Sequence, residues 1–81
     1  MSMHELFSPL PGTFYRRAEP GAPCFKEVGA TVAEGEVIGL IEVMKQYTEV
    51  IADAAGVVAD FLVEDGDMVE PGQVLVRIQQ G

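Results

Sequence analysis

Eighty-one residues, 48% of them hydrophobic, suffice for one small domain with one core, burying about 60–65% of the surface that the unfolded chain exposes. Thirteen acids against five basic residues set the formal net charge at −8; with acids spread from Glu5 to Glu70, nucleic acid is excluded as a partner, and the charge fits a solvated surface or acidic faces offered to larger, more basic partners. One cysteine, Cys24, and one histidine, His4, exclude an intramolecular disulfide and a zinc site of soft ligands; the longest run of apolar residues and glycine, Val37 to Ile41, is too short to span a bilayer and the N-terminus lacks a targeting pattern, so the expectation is a cytoplasmic protein with no membrane partner.

In chain order, residues 1–7 and the prolines at 9 and 11 form an extended N-terminal segment whose Leu6, Phe7 and Leu10 would anchor on the core. His4 has no acidic or cysteine partner at a recognisable spacing and is expected on the surface. Gly12 to Arg16 is a strand, because β-formers follow a glycine turn. Residues 17–24 carry two prolines and a glycine and cannot be regular structure. Cys24 has neither a helix N-terminus nor an adjacent histidine to activate it, and is expected as small filler. From Phe25 onward, short apolar runs alternate with glycine and acidic punctuation, which is an all-β pattern. The one candidate helix, Ala52 to Ala55, is short and stopped by Gly56.

Val37 to Ile51 is the most informative stretch. It is rich in β-branched residues and free of Pro, Asn and Asp, so propensity favours one long strand. Fifteen residues at about 3.3 Å each would extend roughly 50 Å, too long for a chain of this size, and the segment must fold back. Equal arms put the reversal at Val43-Met44-Lys45-Gln46, with Lys45 on the tip of a hairpin. Asn-Gly or Asp-Gly would favour such a loop; a lysine in its place marks a functional position.

The two halves repeat. Gly29 to Glu42 aligns with Gly66 to Gln79 at an offset of 37, with identities Gly29/Gly66, Val32/Val69, Gly35/Gly72, Val37/Val74 and Ile41/Ile78. Neither half can bury its apolar face alone, so the expected fold is all-β: a flattened eight-stranded barrel or sandwich of two quasi-twofold halves in one domain, 1–81. Symmetry puts the Lys45 hairpin at the pole opposite the chain ends. Gly12 to Gly29 is about seven residues longer than Gly56 to Gly66, and the extra length coincides with the loop over residues 17–24.

Glu42-Val43-Met44-Lys45 resembles the attachment motif of biotin carboxyl carrier domains, and the likeness runs from about Ser8 to Gln79. Pro11 to Arg16 is similar to the opening strand of the acetyl-CoA carboxylase type of biotinyl domain, and residues 17–24 sit where that type has its thumb. Two departures stand out: Gln46 where a second methionine usually follows the lysine, and Arg17 where the thumb often begins with a small hydroxyl residue. The resemblance implies a barrel-sandwich hybrid that is no enzyme by itself; carriers of this kind often have a further N-terminal region, and since this sequence begins almost at the barrel the expectation is a free-standing carrier. Biotin would be joined to Lys45 by a biotin ligase through an acyl adenylate, with Glu42, Val43, Met44 and Gln46 forming the attachment motif. It would then carry a carboxyl group from a biotin carboxylase to a carboxyltransferase, the acceptor being acetyl-CoA in fatty acid synthesis or a related acyl-CoA. The thumb residues Arg17, Ala18, Glu19, Pro20, Gly21, Ala22, Pro23 and Cys24 are the implied contacts to biotin.

Two other functions stay open. A lipoyl carrier shares this architecture, but lipoyl hairpins usually have Asp before the lysine and Ala after it, where Met44 and Gln46 stand here. The other is an unmodified barrel acting as an interaction module, with Lys45 an ordinary turn lysine balancing Glu42 and Glu49. Glu64, Asp65, Asp67 and Glu70 flank a glycine turn and are read as solvated, with no metal.

Overall fold

The computed structural model describes residues 2–19 and 21–80. Eight strands follow in order: β1 (Ser2–Phe7), β2 (Gly12–Tyr15), β3 (Thr31–Val32), β4 (Val37–Val43), β5 (Gln46–Ile51), β6 (Gly56–Phe61), β7 (Met68–Val69) and β8 (Val74–Gln80). They form two four-stranded sheets, β1-β8-β6-β3 and β5-β4-β2-β7, with every pairing antiparallel. No helix occurs among the described residues; Ala52 to Ala55 is a bend that buries Ala52 and Ala54. The longest dimension is 38 Å, shorter than the roughly 50 Å a straight strand over 37–51 would need. The chain accordingly reverses between β4 and β5.

The quasi-twofold is close. β4 and β8 share one burial pattern, as do β3 and β7, and both pairs are related by the offset of 37. Gly29 and Gly66 both have φ of 93°, and Gly35 and Gly72 have 95° and 83°, so the repeated glycines supply matching left-handed turn positions. The extended N-terminal segment is a full strand, which the repeat did not reveal. β1 stands to β8 as β5 stands to β4: Ser2 pairs with Gln80 where Gln46 pairs with Val43, and Leu6 with Val76 where Val50 pairs with Gly39. The symmetry therefore carries the β4–β5 turn onto the place where Ser2 and Gln80 meet.

Inward residues of both sheets build one core, with Phe14, Ile38, Ile41, Val58, Val69, Leu75, Val76 and Ile78 fully buried. Val32 and Val69, the single inward valines of the two repeats, sit in it as their pattern predicts.

One symmetric pair differs in charge. The Glu36 carboxylate accepts the Ala33 N–H at 2.7 Å, and at the equivalent turn the Gln73 amide oxygen accepts the Glu70 N–H at 3.0 Å. The Ala33 N–H and then the Lys26 ammonium, at 3.2 Å, hold the Glu36 carboxyl below its ordinary value. A lowered folded-state value stabilises the fold above the ordinary carboxylate range and loses that contribution as pH falls through it. Glu36→Gln copies the neutral twin. It is expected to leave the turn intact but to flatten the acid limb of stability, read as the urea midpoint followed from about pH 6 down to pH 3.

Candidate functional site

The reversal between β4 and β5 is a two-residue loop, Met44 and Lys45, flanked by the pair Val43 and Gln46. Both loop residues have positive φ, 51° and 65°, and are the only non-glycine residues so placed among those described. Antiparallel strands twist in a way that a two-residue loop matches best with both residues left-handed. For residues with side chains this costs on the order of 1 kcal/mol each. Glu42 offsets part of the cost: one carboxylate oxygen accepts the Lys45 backbone N–H at 3.3 Å, and the other accepts the Tyr15 hydroxyl at 3.4 Å. Partial burial, followed by the Glu42 carboxylate, raises the Tyr15 phenol above its ordinary value, so it keeps the proton it donates. Met44 is 90% exposed and Lys45 is exposed beside it. The turn thus holds an unhindered amine on a braced backbone.

Beside this turn lies a groove of about 220 Å³ lined by Tyr15, Arg17, Ala18, Glu19, Tyr47 and Asp65. It joins three segments distant in sequence: the end of β2 with the start of the thumb-like loop, the strand after Lys45, and the turn after β6. The sequence does not mark Tyr15 or Tyr47 as site residues, and Asp65 is read there only as a solvated residue of a glycine turn. The one signal for the tyrosines is alternation, which points Tyr47 outward opposite Glu42 and Tyr15 opposite Leu40.

The loop over 17–24 is closed by an isolated bridge between Arg17 and Cys24 and by the Phe25 N–H donating to the Arg16 carbonyl at 2.8 Å. Arg17 turns back into the loop, its guanidinium donating to the Ala22 carbonyl and to the Cys24 sulfur, both at 3.3 Å. Cys24 is therefore an acceptor within the loop. Arg17, Ala18 and Glu19 line the groove, whereas Gly21, Ala22, Pro23 and Cys24 do not; Pro20 lies outside the described residues. His4 has a partner after all, Asp53 at 2.6 Å, which ties β1 to the bend after β5. In the acidic turn, Asp65 accepts the Arg16 N–H at 2.7 Å and Asp67 accepts the Glu64 N–H at 2.8 Å, so both shape the backbone.

Two interlocked β halves thus hold one exposed lysine on a left-handed two-residue turn at one pole, the architecture of a small lysine-bearing β domain. Residues 4–78 match the biotin/lipoyl family described as "Biotin-requiring enzyme", and the chain belongs to that family. It is 44% identical over 75 residues to the biotin carboxyl carrier protein of acetyl-CoA carboxylase from a Nostoc species, covering 93% of this chain and 41% of that protein. It is 42% identical over 79 residues to the protein of the same description from Haemophilus influenzae, covering 98% of this chain and 51% of that one. The chain thus spans about half the length of these relatives. Among solved structures it is similar to the urea carboxylase of Kluyveromyces lactis, with a TM-score of 0.79 and 30% identity over 98% of this chain and 6% of that one. The barrel-sandwich fold expected from the repeat is the fold observed.

Proposed function

We propose that this chain is a biotin carboxyl carrier domain whose attachment site is Lys45, serving a biotin-dependent carboxylase, of which acetyl-CoA carboxylase is the best-supported kind. The observation that carries the reading is the turn itself: an exposed amine in a left-handed loop, braced by Glu42 through its own backbone N–H. Biotin, in amide linkage to the lysine, supplies a ureido nitrogen able to take and give up a carboxyl group. What the chain contributes is position. Glu42 and Tyr15 fix the turn, Met44 and Gln46 border the amine, and the groove beside Tyr47 offers a site where a tethered ring can rest against Arg17, Ala18 and Glu19. Within the loop the Ala22 carbonyl and the Cys24 sulfur accept from the Arg17 guanidinium and hold it in place. Biotin ligase, biotin carboxylase and carboxyltransferase are the partners this reading requires. Tethering turns the two later encounters into effectively intramolecular ones.

Intact mass measured after incubation with biotin ligase, ATP and biotin tests the proposal, with lipoyl ligase and lipoate in a parallel reaction. One biotinyl increment is expected on the wild-type chain and none on Lys45→Ala. No increment from biotin, or one from lipoate alone, would sink it.

A further inference from the structure

The turn asks for two left-handed residues, and a methionine is a poor answer to it. Glycine or asparagine takes such a φ with little strain, whereas Met44 takes φ of 51° and returns nothing to the fold. Its side chain lies outside the core and is 90% exposed, more than any other large hydrophobic residue described. The thioether is thus kept in water one residue before the amine. The other sulfurs among the described residues are placed differently. Met68 is 75% exposed, and the Thr13 hydroxyl donates to its sulfur at 3.4 Å. Met3, on β1, is 54% exposed. The Cys24 sulfur is partly buried and accepts from the Arg17 guanidinium at 3.3 Å. A hydrogen bond to sulfur draws on the lone pair that a peroxide has to meet, and burial shuts the peroxide out. Reactivity toward peroxide is therefore graded, with Met44 first.

Resting on the carrier reading, we propose that Met44 is a redox-sensitive site through which a peroxide lowers the capacity of Lys45 to be acylated. The sulfur lone pair attacks one oxygen of hydrogen peroxide, and the S–O bond forms as the O–O bond breaks. Sulfur loses two electrons, and the departing oxygen takes the proton of the transferred one and leaves as water. The product is methionine sulfoxide, polar where the thioether was apolar, and methionine sulfoxide reductases return it to the thioether. Lys45 is the next residue, so an enzyme that brings an acyl adenylate to its nitrogen closes over Met44 as well. A thioether gains by leaving water, whereas a sulfoxide has to be stripped of water or given a donor. The fold is indifferent to the change, because this side chain is no part of the core.

Treatment with limiting hydrogen peroxide, followed by peptide mapping and by kinetics of biotinylation with biotin ligase, tests this. The sulfoxide of Met44 is expected before that of Met68 or Met3, and the oxidised chain should melt as before. Its kcat/KM for biotinylation should fall about tenfold. Methionine sulfoxide reductase with its thiol reductant should restore the rate, where the thiol alone, which reverses oxidation at Cys24, does not. Met44→Leu keeps an apolar side chain and removes the sulfur; whatever its own rate, that rate should be the same before and after peroxide. Oxidation of Met68 or Met3 ahead of Met44, an undiminished rate for the Met44 sulfoxide, or equal peroxide sensitivity in Met44→Leu overturns the redox site and leaves the carrier reading in place. A chain that accepts no biotin before treatment overturns both.

Discussion

Moving the amine one residue along the chain, by the paired substitutions Lys45→Gln and Gln46→Lys, is expected to cut kcat/KM for biotinylation by about a hundredfold or more, because displacing a reacting group by even an ångström can cost that much. Composition and net charge are unchanged, and both positions are exposed, so the fold should melt as before. What changes is the backbone under the amine. Residue 45 has φ of 65° and its N–H is held by Glu42, whereas residue 46 already belongs to β5 and pairs with Val43. A lysine there would leave the strand surface in a direction set by the pleat, where a shift of one residue turns a side chain to another face. Modification of the exchanged chain at the wild-type rate would show that any exposed lysine near the pole suffices, and the left-handed loop would lose its functional meaning.

The turn was legible because length left no alternative: Val37 to Ile51 had to double back, and equal arms fixed the place. The repeat was legible because glycines at φ near 90° admit few substitutes, so Gly29/Gly66 and Gly35/Gly72 survive in both halves. Strand β1 was not, although its pairing with β8 mirrors β5 with β4. An exposed strand needs only alternation, and between residues 2–7 and 46–51 the one identity is Glu5/Glu49. Strands of two residues, such as Thr31–Val32, hold too few positions for any periodicity to register; only their inward valines could be read. The groove was hidden for another reason. Tyr15, Tyr47 and Asp65 come from three segments, and only the pairing of β2, β4 and β5 puts the tyrosines on one face, with β4 between them. The Asp53 partner of His4 lies 49 positions away for the same cause.

Symmetry also fails once inside the core, and the failure predicts a coupling. Phe14, fully buried, stands where the other half has Val58, and Gly39 stands where it has Val76. The large ring is admitted by the missing side chain: a Cβ at Gly39 would lie 2.6 and 2.8 Å from Phe14 ring carbons. The ring continues toward Phe61, with centroids 6.5 Å apart. One half thus fills its space with a large and a small residue and the other with two of middle size. Phe14→Ala is expected to destabilise the domain by about 3–5 kcal/mol, most of what a small domain has in hand. Gly39→Ala alone is expected to cost about 1–3 kcal/mol by overpacking. In the Phe14→Ala background the added methyl meets an emptied space, so the double variant should be more stable than the sum of the two losses allows, by about 1–2 kcal/mol. Recovery is partial, since the Tyr15 carbonyl remains 2.8 Å from that Cβ position. A double-mutant cycle by urea unfolding measures the coupling; strict additivity would mean that Gly39 is set by the Tyr15 backbone alone and that the ring was never its reason.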